Sequence, residues 1–301
     1  MDVVSDAISA VRTGRPSSNR LRVGGSWCTR LAPYEGAGFH VVLAGGCWLV
    51  PETGGEPVTL GAGDVVLLPH GAGHVLADSP GDISRAVPFE EMRRPDGRGD
   101  GDGRAVELLC GKYRLDRSRT HPLMAELPEV VHLPNRVGRH PELRSAVELL
   151  ANELDERRPG ACLALPSLLD LLLIYMVRAW MSEAETGSWP SVLSDPVTTA
   201  ALRALHSDPA APWTNDRLAA AAGVSRATLA RRFTALVGRA PMAYLTWWRL
   251  TLAATRLRDT DASLAAVARE AGYGSPYALS HAFSREFGVT PGKYRVSAGS
   301  S

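Results

Sequence analysis

Gly238-x-x-Pro241-x-x-Tyr244 recurs fifty positions later as Gly288-x-x-Pro291-x-x-Tyr294, and the match extends backwards along the chain. Ser225, Leu229 and Phe233 have counterparts at the same offset in Ser275, Leu279 and Phe283. One residue earlier in register, Ala219, Ala222 and Gly223 pair with Ala268, Ala271 and Gly272. The last hundred residues must therefore fold as two tandem copies of one supersecondary unit.

Each copy reads as helix, glycine turn, helix. In the first, Thr214 stands at an N-cap, Asn215 to Ala222 forms a short alanine-rich helix, Gly223 supplies the turn and Ser225 caps the next helix. Leu229, Phe233 and Leu236 fall on its inner face at i, i+4 and i+7. In the second, Ser263 caps Leu264 to Ala271, Gly272-Tyr273-Gly274 makes the turn, and Ser275 caps a helix with Pro276 in its first position. At about 100° per residue, the outward face of the first copy carries Ala227, Arg231 and Thr234, with Thr228 beside them and Arg226 and Arg232 at its flanks. The second presents Tyr277, His281 and Ser284, with Arg285 at the edge. Such faces suit base edges, and flanking arginines suit phosphates. Pro241 to Arg258 reads as a long helix bearing Arg249, Arg256 and Arg258, with Trp247 and Trp248 half-buried. It is expected to hold the two outward helices at the spacing of adjacent major-groove entries, about 34 Å.

The net charge of +1 conceals an asymmetry. Residues 195–301 hold 13 Lys/Arg against 7 Asp/Glu, a net +6, whereas residues 1–194 are net −5. The duplicated end is thus the basic end, as attraction to phosphate requires. A length of 301 residues fits about two domains. The N-terminus has no basic segment followed by an apolar stretch, and the longest apolar run near a helix, Leu171 to Val177, is far shorter than the roughly 20 residues that span a bilayer. The expectation is a cytoplasmic protein without a membrane partner. Cys28, Cys47, Cys110 and Cys162 lack the spacing of a zinc site or a disulfide framework.

Up to about residue 115 the pattern is one of strands and turns: Phe39 to Leu43, Cys47 to Val50 and Asp64 to Leu68 are short apolar runs separated by glycine pairs. A polar loop, Pro95 to Gly103, precedes a last strand around Val106 to Tyr113. Helical periodicity follows. Glu142 to Arg157 sets Leu143, Val147, Leu150 and Leu154 on one face, and Pro166-Ser167 opens a second helix, Leu168 to Met181, apolar nearly all round. Such a helix must be covered by its own domain or by a second subunit. Ser182 to Asp195 reads as a linker. The expected fold class is α+β and multidomain: an N-terminal β-barrel over residues 1–115, a helical connector and dimerisation region with linker over 116–194, and an all-α domain with two helix-turn-helix motifs over 195–301.

Leu218-Ala-Ala-Ala-Ala-Gly-Val-Ser225, Phe233, the two Gly-x-x-Pro-x-x-Tyr repeats, Arg249-Leu250-x-x-Ala253, Val267-Ala268, Ala271-Gly272-Tyr273 and Phe283-Ser-Arg-Glu-Phe287 resemble the DNA-binding domain of the AraC/XylS transcription regulators. The resemblance covers residues 195 to 297. It implies a non-enzymatic regulator of double-stranded DNA, with RNA polymerase among its candidate partners, in which helices near 226–237 and 276–287 enter successive major grooves. The first is usually the main sequence reader, which weights Arg231 above His281.

The first 115 residues resemble, less densely, the cupin sensor domain that often precedes this module. Phe39-His40-Val-Val-Leu-x-Gly45 and Gly61-x-Gly63-Asp64 through Pro69-x-Gly71-x-x-His74 carry that likeness. A metal-binding cupin uses a His-x-His pair, a carboxylate and a later histidine. Here Val42 stands at the second histidine and Gly46 near the carboxylate, so no metal or cofactor is expected. Trp27, His40, Trp48 and His74 are the candidate pocket for a small-molecule effector. Oxidant sensing is the alternative signal, with Cys28 near Arg30 and Cys110 near Lys112 as candidates, against the reading of cysteines as inert buried hydrophobes. A metal-dependent cupin enzyme with a C-terminal regulatory module is the alternative function.

Overall fold

The computed structural model describes residues 3–81, 83–92, 105–115, 121–155, 159–184 and 188–298. The expected Pro95 to Gly103 loop lies outside them. The chain forms two compact units: residues 12–118 and 127–184 make one, and residues 1–11, 119–126 and 185–301 make the other.

The first unit is built on two five-stranded sheets. One runs in the order β1 (Ser17–Val23), β9 (Val106–Tyr113), β3 (Ala37–Ala44), β6 (Val65–Leu68) and β10 (Val131–Leu133), all antiparallel. The other runs β5 (Val58–Gly61), β4 (Gly46–Pro51), β7 (His74–Ala77), β2 (Cys28–Leu31) and β8 (Val87–Pro88), antiparallel except between β2 and β8. A short helix, α2 (Phe89–Met92), follows β8. The glycine-punctuated apolar runs of the sequence are β3, β4 and β6. Between the sheets lies a core of Leu21, Val42, Val66, Leu68, Leu108 and Cys110 from the first, and Cys47, Leu49, Leu60 and Leu76 from the second. Each buried aliphatic side chain is worth roughly 1.5–3 kcal/mol.

Because side chains alternate across a strand, the neighbours of these residues point the other way. Val41, Val65, Leu67 and Leu109 on that opposite face are at most 1% exposed, so the first sheet is covered on both faces at β3, β6 and β9. This is why β3 and β6 read as unbroken apolar runs.

The cover is a pair of packed helices, α4 (Pro141–Asp155) and α5 (Ala161–Glu183), with α5 also against β10. Leu143, Val147 and Leu150 of α4 are buried as the periodicity requires. The second helix departs from expectation. It starts at Ala161, so Pro166 lies inside it. Proline leaves the Cys162 carbonyl without its usual donor, and the Ser167 hydroxyl donates to the adjacent Leu163 carbonyl at 3.1 Å. The apolar stretch is therefore a 23-residue helix, long and apolar enough to cross a membrane by length and composition. It serves as a one-sided cover: Leu169, Leu172, Leu173, Met176, Val177 and Ala179 are buried, the Tyr113 hydroxyl donates to the Leu169 carbonyl at 2.6 Å, and Leu163 is 74% exposed.

The second unit is helical and gathers three separate stretches of sequence. Its elements are α1 (Val3–Val11), α3 (Pro122–Ala125), α6 (Ser188–Ser194), α7 (Pro196–Ser207), α8 (Asn215–Ala221), α9 (Arg226–Val237), α10 (Pro241–Asp259), α11 (Leu264–Glu270), α12 (Pro276–Phe287) and α13 (Pro291–Ala298). The segment read as a linker contains α6. Its Gly, Ser and Pro content signals a flexible connection, but Trp189 and Val192 are at most 1% exposed and anchor it. At the N-terminus, Val3, Ala7 and Ile8 are buried, and α1 packs on α3, α7 and α10. Trp247 and Trp248, expected to be half-buried, are buried.

Candidate functional site

The two copies are built alike at every cap. Thr214 Oγ1 accepts from the Arg217 amide at 3.2 Å, and Ser225 Oγ from Thr228 at 3.2 Å. In the second copy Ser263 Oγ accepts from Ala266 at 3.2 Å and Ser275 Oγ from Ala278 at 3.1 Å. Gly238 and Gly288 end α9 and α12 at φ 73° and 68°, a conformation glycine adopts without steric cost. Leu229 and Phe233, like Leu279 and Phe283, are fully buried. The duplicated tyrosines repeat one contact: Tyr244 meets Phe233 edge-on at 5.7 Å and 74°, and Tyr294 meets Phe283 at 5.4 Å and 70°.

With the inner faces fixed in this way, Arg226, Ala227, Arg231 and Thr234 are exposed on α9, and Tyr277, His281 and Arg285 on α12. Thr228 and Ser284 are half-buried, and the Thr228 hydroxyl lies 2.9 Å from Ser225 Oγ. Tyr277 is 81% exposed. The arginines are not equivalent. Arg232 is held by Asp195 at 3.3 Å, and Arg226 lies 4.0 Å from Asp216. The basic residues of α10 are structural: Arg249 donates to the Pro209 and Ala211 carbonyls at 2.6 and 2.8 Å, Arg256 pairs with Glu270 at 2.8 Å, and Arg258 with Asp259 at 2.7 Å.

Beneath this surface lies a buried polar chain that sequence patterns did not reveal. His121 Nδ1 accepts from the Leu123 amide at 3.1 Å, and burial, with the His206 ring nearby, holds His121 well below the ordinary histidine range. Its proton therefore sits on Nε2 and is donated to the Tyr244 oxygen at 3.2 Å. The Tyr244 hydroxyl donates in turn to His206 Nε2 at 2.8 Å, and His206 Nδ1 donates to Asp6 at 2.8 Å. His206 stacks on Trp248 with centroids 4.4 Å apart. Isolated residues 200 positions apart carry no local signal; the legible element was the second half of the repeated Gly-x-x-Pro-x-x-Tyr.

In the barrel unit, His40 and His74 come together, Nε2 to Nε2 at 2.7 Å. His74 Nδ1 faces the Ala72 carbonyl at 3.0 Å and must carry a hydrogen; its Nε2 therefore accepts from His40 Nε2–H. His40 Nδ1 is left as a buried acceptor with no partner. Burial lowers both imidazoles, His40 well below the usual range and His74 to about 4. The two rings thus bond to one another, in a space of about 50 Å³ whose lining includes neither Trp27 nor Trp48. A space of this size suits a water molecule better than an organic effector. Trp27 belongs to the barrel core and Trp48 is half-buried. Burial pushes the Cys110 thiol up well above its ordinary range and the Cys47 thiol up to about 12, and Cys28 is half-buried. Among the described residues no group of three His, Cys, Asp or Glu is placed to hold a metal.

Two family models match the chain. A family model described as "Cupin" covers residues 2–182, and one described as "Helix-turn-helix domain" covers residues 218–297. The chain is 35% identical over 299 residues to an AraC-like transcription regulator of Streptomyces lividans, spanning 98% of each chain. It is 30% identical over 312 residues to the HTH-type transcriptional regulator MtrA of Neisseria gonorrhoeae, spanning 99% of each. Among solved structures, the DNA-binding domain of AdpA in complex with a target DNA is 36% identical over 35% of this chain and 93% of that one, with a TM-score of 0.33.

Proposed function

Because the chain belongs to the AraC family of DNA-binding transcription regulators, we propose that α9 and α12 enter successive major grooves and read different bases. Arg231 is the chief reader, and Ala227, Thr228 and Thr234 complete its face. Tyr277, His281 and Ser284 read the second half of an asymmetric site, while Arg226, Arg232 and Arg285 contact phosphates. The observation that carries this is the contrast on α9. Arg231 is exposed and makes no ion pair among the described residues, whereas its neighbour Arg232 is held by Asp195 at 3.3 Å. A planar guanidinium offered in this way suits bidentate contact with guanine.

The barrel unit is the sensor, and its signal changes the population of DNA-competent states. A small molecule is favoured over a redox signal, because the raised Cys110 thiol stays protonated at neutral pH and leaves Cys28 as the candidate. The solvent side of α4 and α5, with Leu149 and Leu163 exposed at 52% and 74%, supports a homodimer through these helices. The test is to map the chain's binding sites on genomic DNA and compare wild type with Arg231→Ala on the strongest. Equal affinity there would remove Arg231 from its assigned role.

A further inference from the structure

A cavity of about 450 Å³ opens between the outer face of the first sheet and α4. This is the size range of small-molecule sites. Its apolar wall is Leu43, Val65 and Leu133 from three strands, faced by Leu143, Val147 and Ala151 from successive turns of α4. The basic groups around it are matched with one exception. Arg20 is paired with Glu107, while Arg139 and His140 share Glu183 Oε1 at 3.2 and 2.9 Å.

Arg144 is the exception. Its Nη2 donates to the Arg136 carbonyl at 2.9 Å, but its Nε is buried and has no partner. The guanidinium also forms no ion pair among the described residues, so an anionic or strongly accepting group entering the cavity would compensate its charge. The mouth is also strained. His140 stands at φ 48°, a positive value that non-glycine residues uncommonly adopt. Such strain persists where surrounding contacts hold it, and it gathers at ligand clamps. Here Glu183 supplies the hold.

We infer that this cavity, and not the space beside His40 and His74, is the ligand site of the sensor, and that it takes an apolar small molecule carrying one anionic or strongly accepting group, seated on Arg144. The inference rests on the reading of the barrel unit as a sensor. It also supplies a route for the signal. Arg139 and His140 at the mouth are clamped to Glu183, the last residue of α5, and the next helix, α6, belongs to the helical unit. A ligand that displaces either side chain acts on the final turn before the chain enters that unit.

The test uses the full chain and two probes of similar apolar skeleton, 1-anilinonaphthalene-8-sulfonate and the uncharged N-phenyl-1-naphthylamine, titrated by fluorescence. Arg144→Met is expected to weaken the sulfonate about tenfold and leave the neutral probe nearly unchanged. Ala151→Phe, which fills the cavity, is expected to weaken both. Glu148→Gln removes an exposed carboxylate from the cavity wall and is expected to tighten the sulfonate, so the charge preference is tested even if Arg144→Met fails to fold. Wild-type affinities in both Arg144→Met and Ala151→Phe would overturn the site. Equal loss of the two probes in Arg144→Met, or no gain in Glu148→Gln, would overturn the ligand class. DNA affinity measured with and without bound sulfonate separates the two levels: binding as expected with unchanged DNA affinity leaves the site standing and removes the sensor reading.

Discussion

His206 Nδ1 donates to the Asp6 carboxylate across 2.8 Å although 200 positions separate the two residues. Both side chains are at most 5% exposed. Asp6 brings α1 into the helical unit and completes a chain of hydrogen bonds through Tyr244 to His121. Asp6→Ala leaves the His206 N–H buried without an acceptor. It is expected to destabilise this unit by about 2–4 kcal/mol. Denaturant unfolding followed by the fluorescence of Trp189, Trp247 and Trp248 reads the change directly, and Asp6→Asn, which keeps an acceptor oxygen, should cost less. An unmoved transition in Asp6→Ala would show that α1 contributes nothing to the unit.

Acid should loosen the barrel. His40 and His74 are lowered by burial below the ordinary value of 6.5, His74 to about 4. The unfolded chain therefore takes up protons that the folded one refuses, and stability present above pH 6.5 is lost as pH falls towards 4. The melting temperature of the barrel unit measured between pH 7 and 4 should fall accordingly. His74→Gln retains an acceptor for His40 Nε2–H and should flatten much of the slope; an undiminished slope would place the titrating group elsewhere.

The matched caps should matter equally. Ser225→Ala and Ser275→Ala remove an acceptor for the first turn of α9 and of α12, at about 0.5–2 kcal/mol apiece. Thermal melts of the two variants should shift alike, and Gly in place of either serine should cost only a few tenths. A silent Ser275→Ala beside a costly Ser225→Ala would mean that the second copy is held by contacts outside its own repeat.

Arg231 and Arg232 should part company on DNA. Arg231→Ala is expected to cost about 1–3 kcal/mol on the preferred site and relax its sequence preference, whereas Arg232→Ala weakens every sequence and lowers the salt slope by about one. Affinity titrations at several salt concentrations on preferred and scrambled duplexes distinguish them. A uniform loss from Arg231→Ala would recast it as a phosphate contact.

What could be read from the sequence was local or periodic. Each serine cap, the glycine turns and the inward Leu229, Phe233, Leu279 and Phe283 follow from spacing within a dozen residues and take their expected places, whereas Leu236, expected on the inner face, is half-buried and Val237 beside it is buried instead. The strands β3, β4 and β6 were marked by β-branched runs between glycines. Three things were not legible. Pro166 reads as a helix start, yet the Ala161 to Leu165 run before it is already helical. Gly187-Ser188 and Pro190 read as a linker, but one buried indole, Trp189, outweighs them. The cavity beside α4 depends on which turns of that helix stand off the sheet, and no spacing in the sequence encodes that distance.

Gathering one folding unit from the first eleven residues, a short middle stretch and the last third of the chain has a consequence for the order of synthesis. Asp6 leaves the ribosome first, and the residues that bury it, His206 and those on α10, come nearly last. The helical unit is therefore completed only after the barrel unit has been synthesised. A chain interrupted before residue 206 carries Asp6 without its partner.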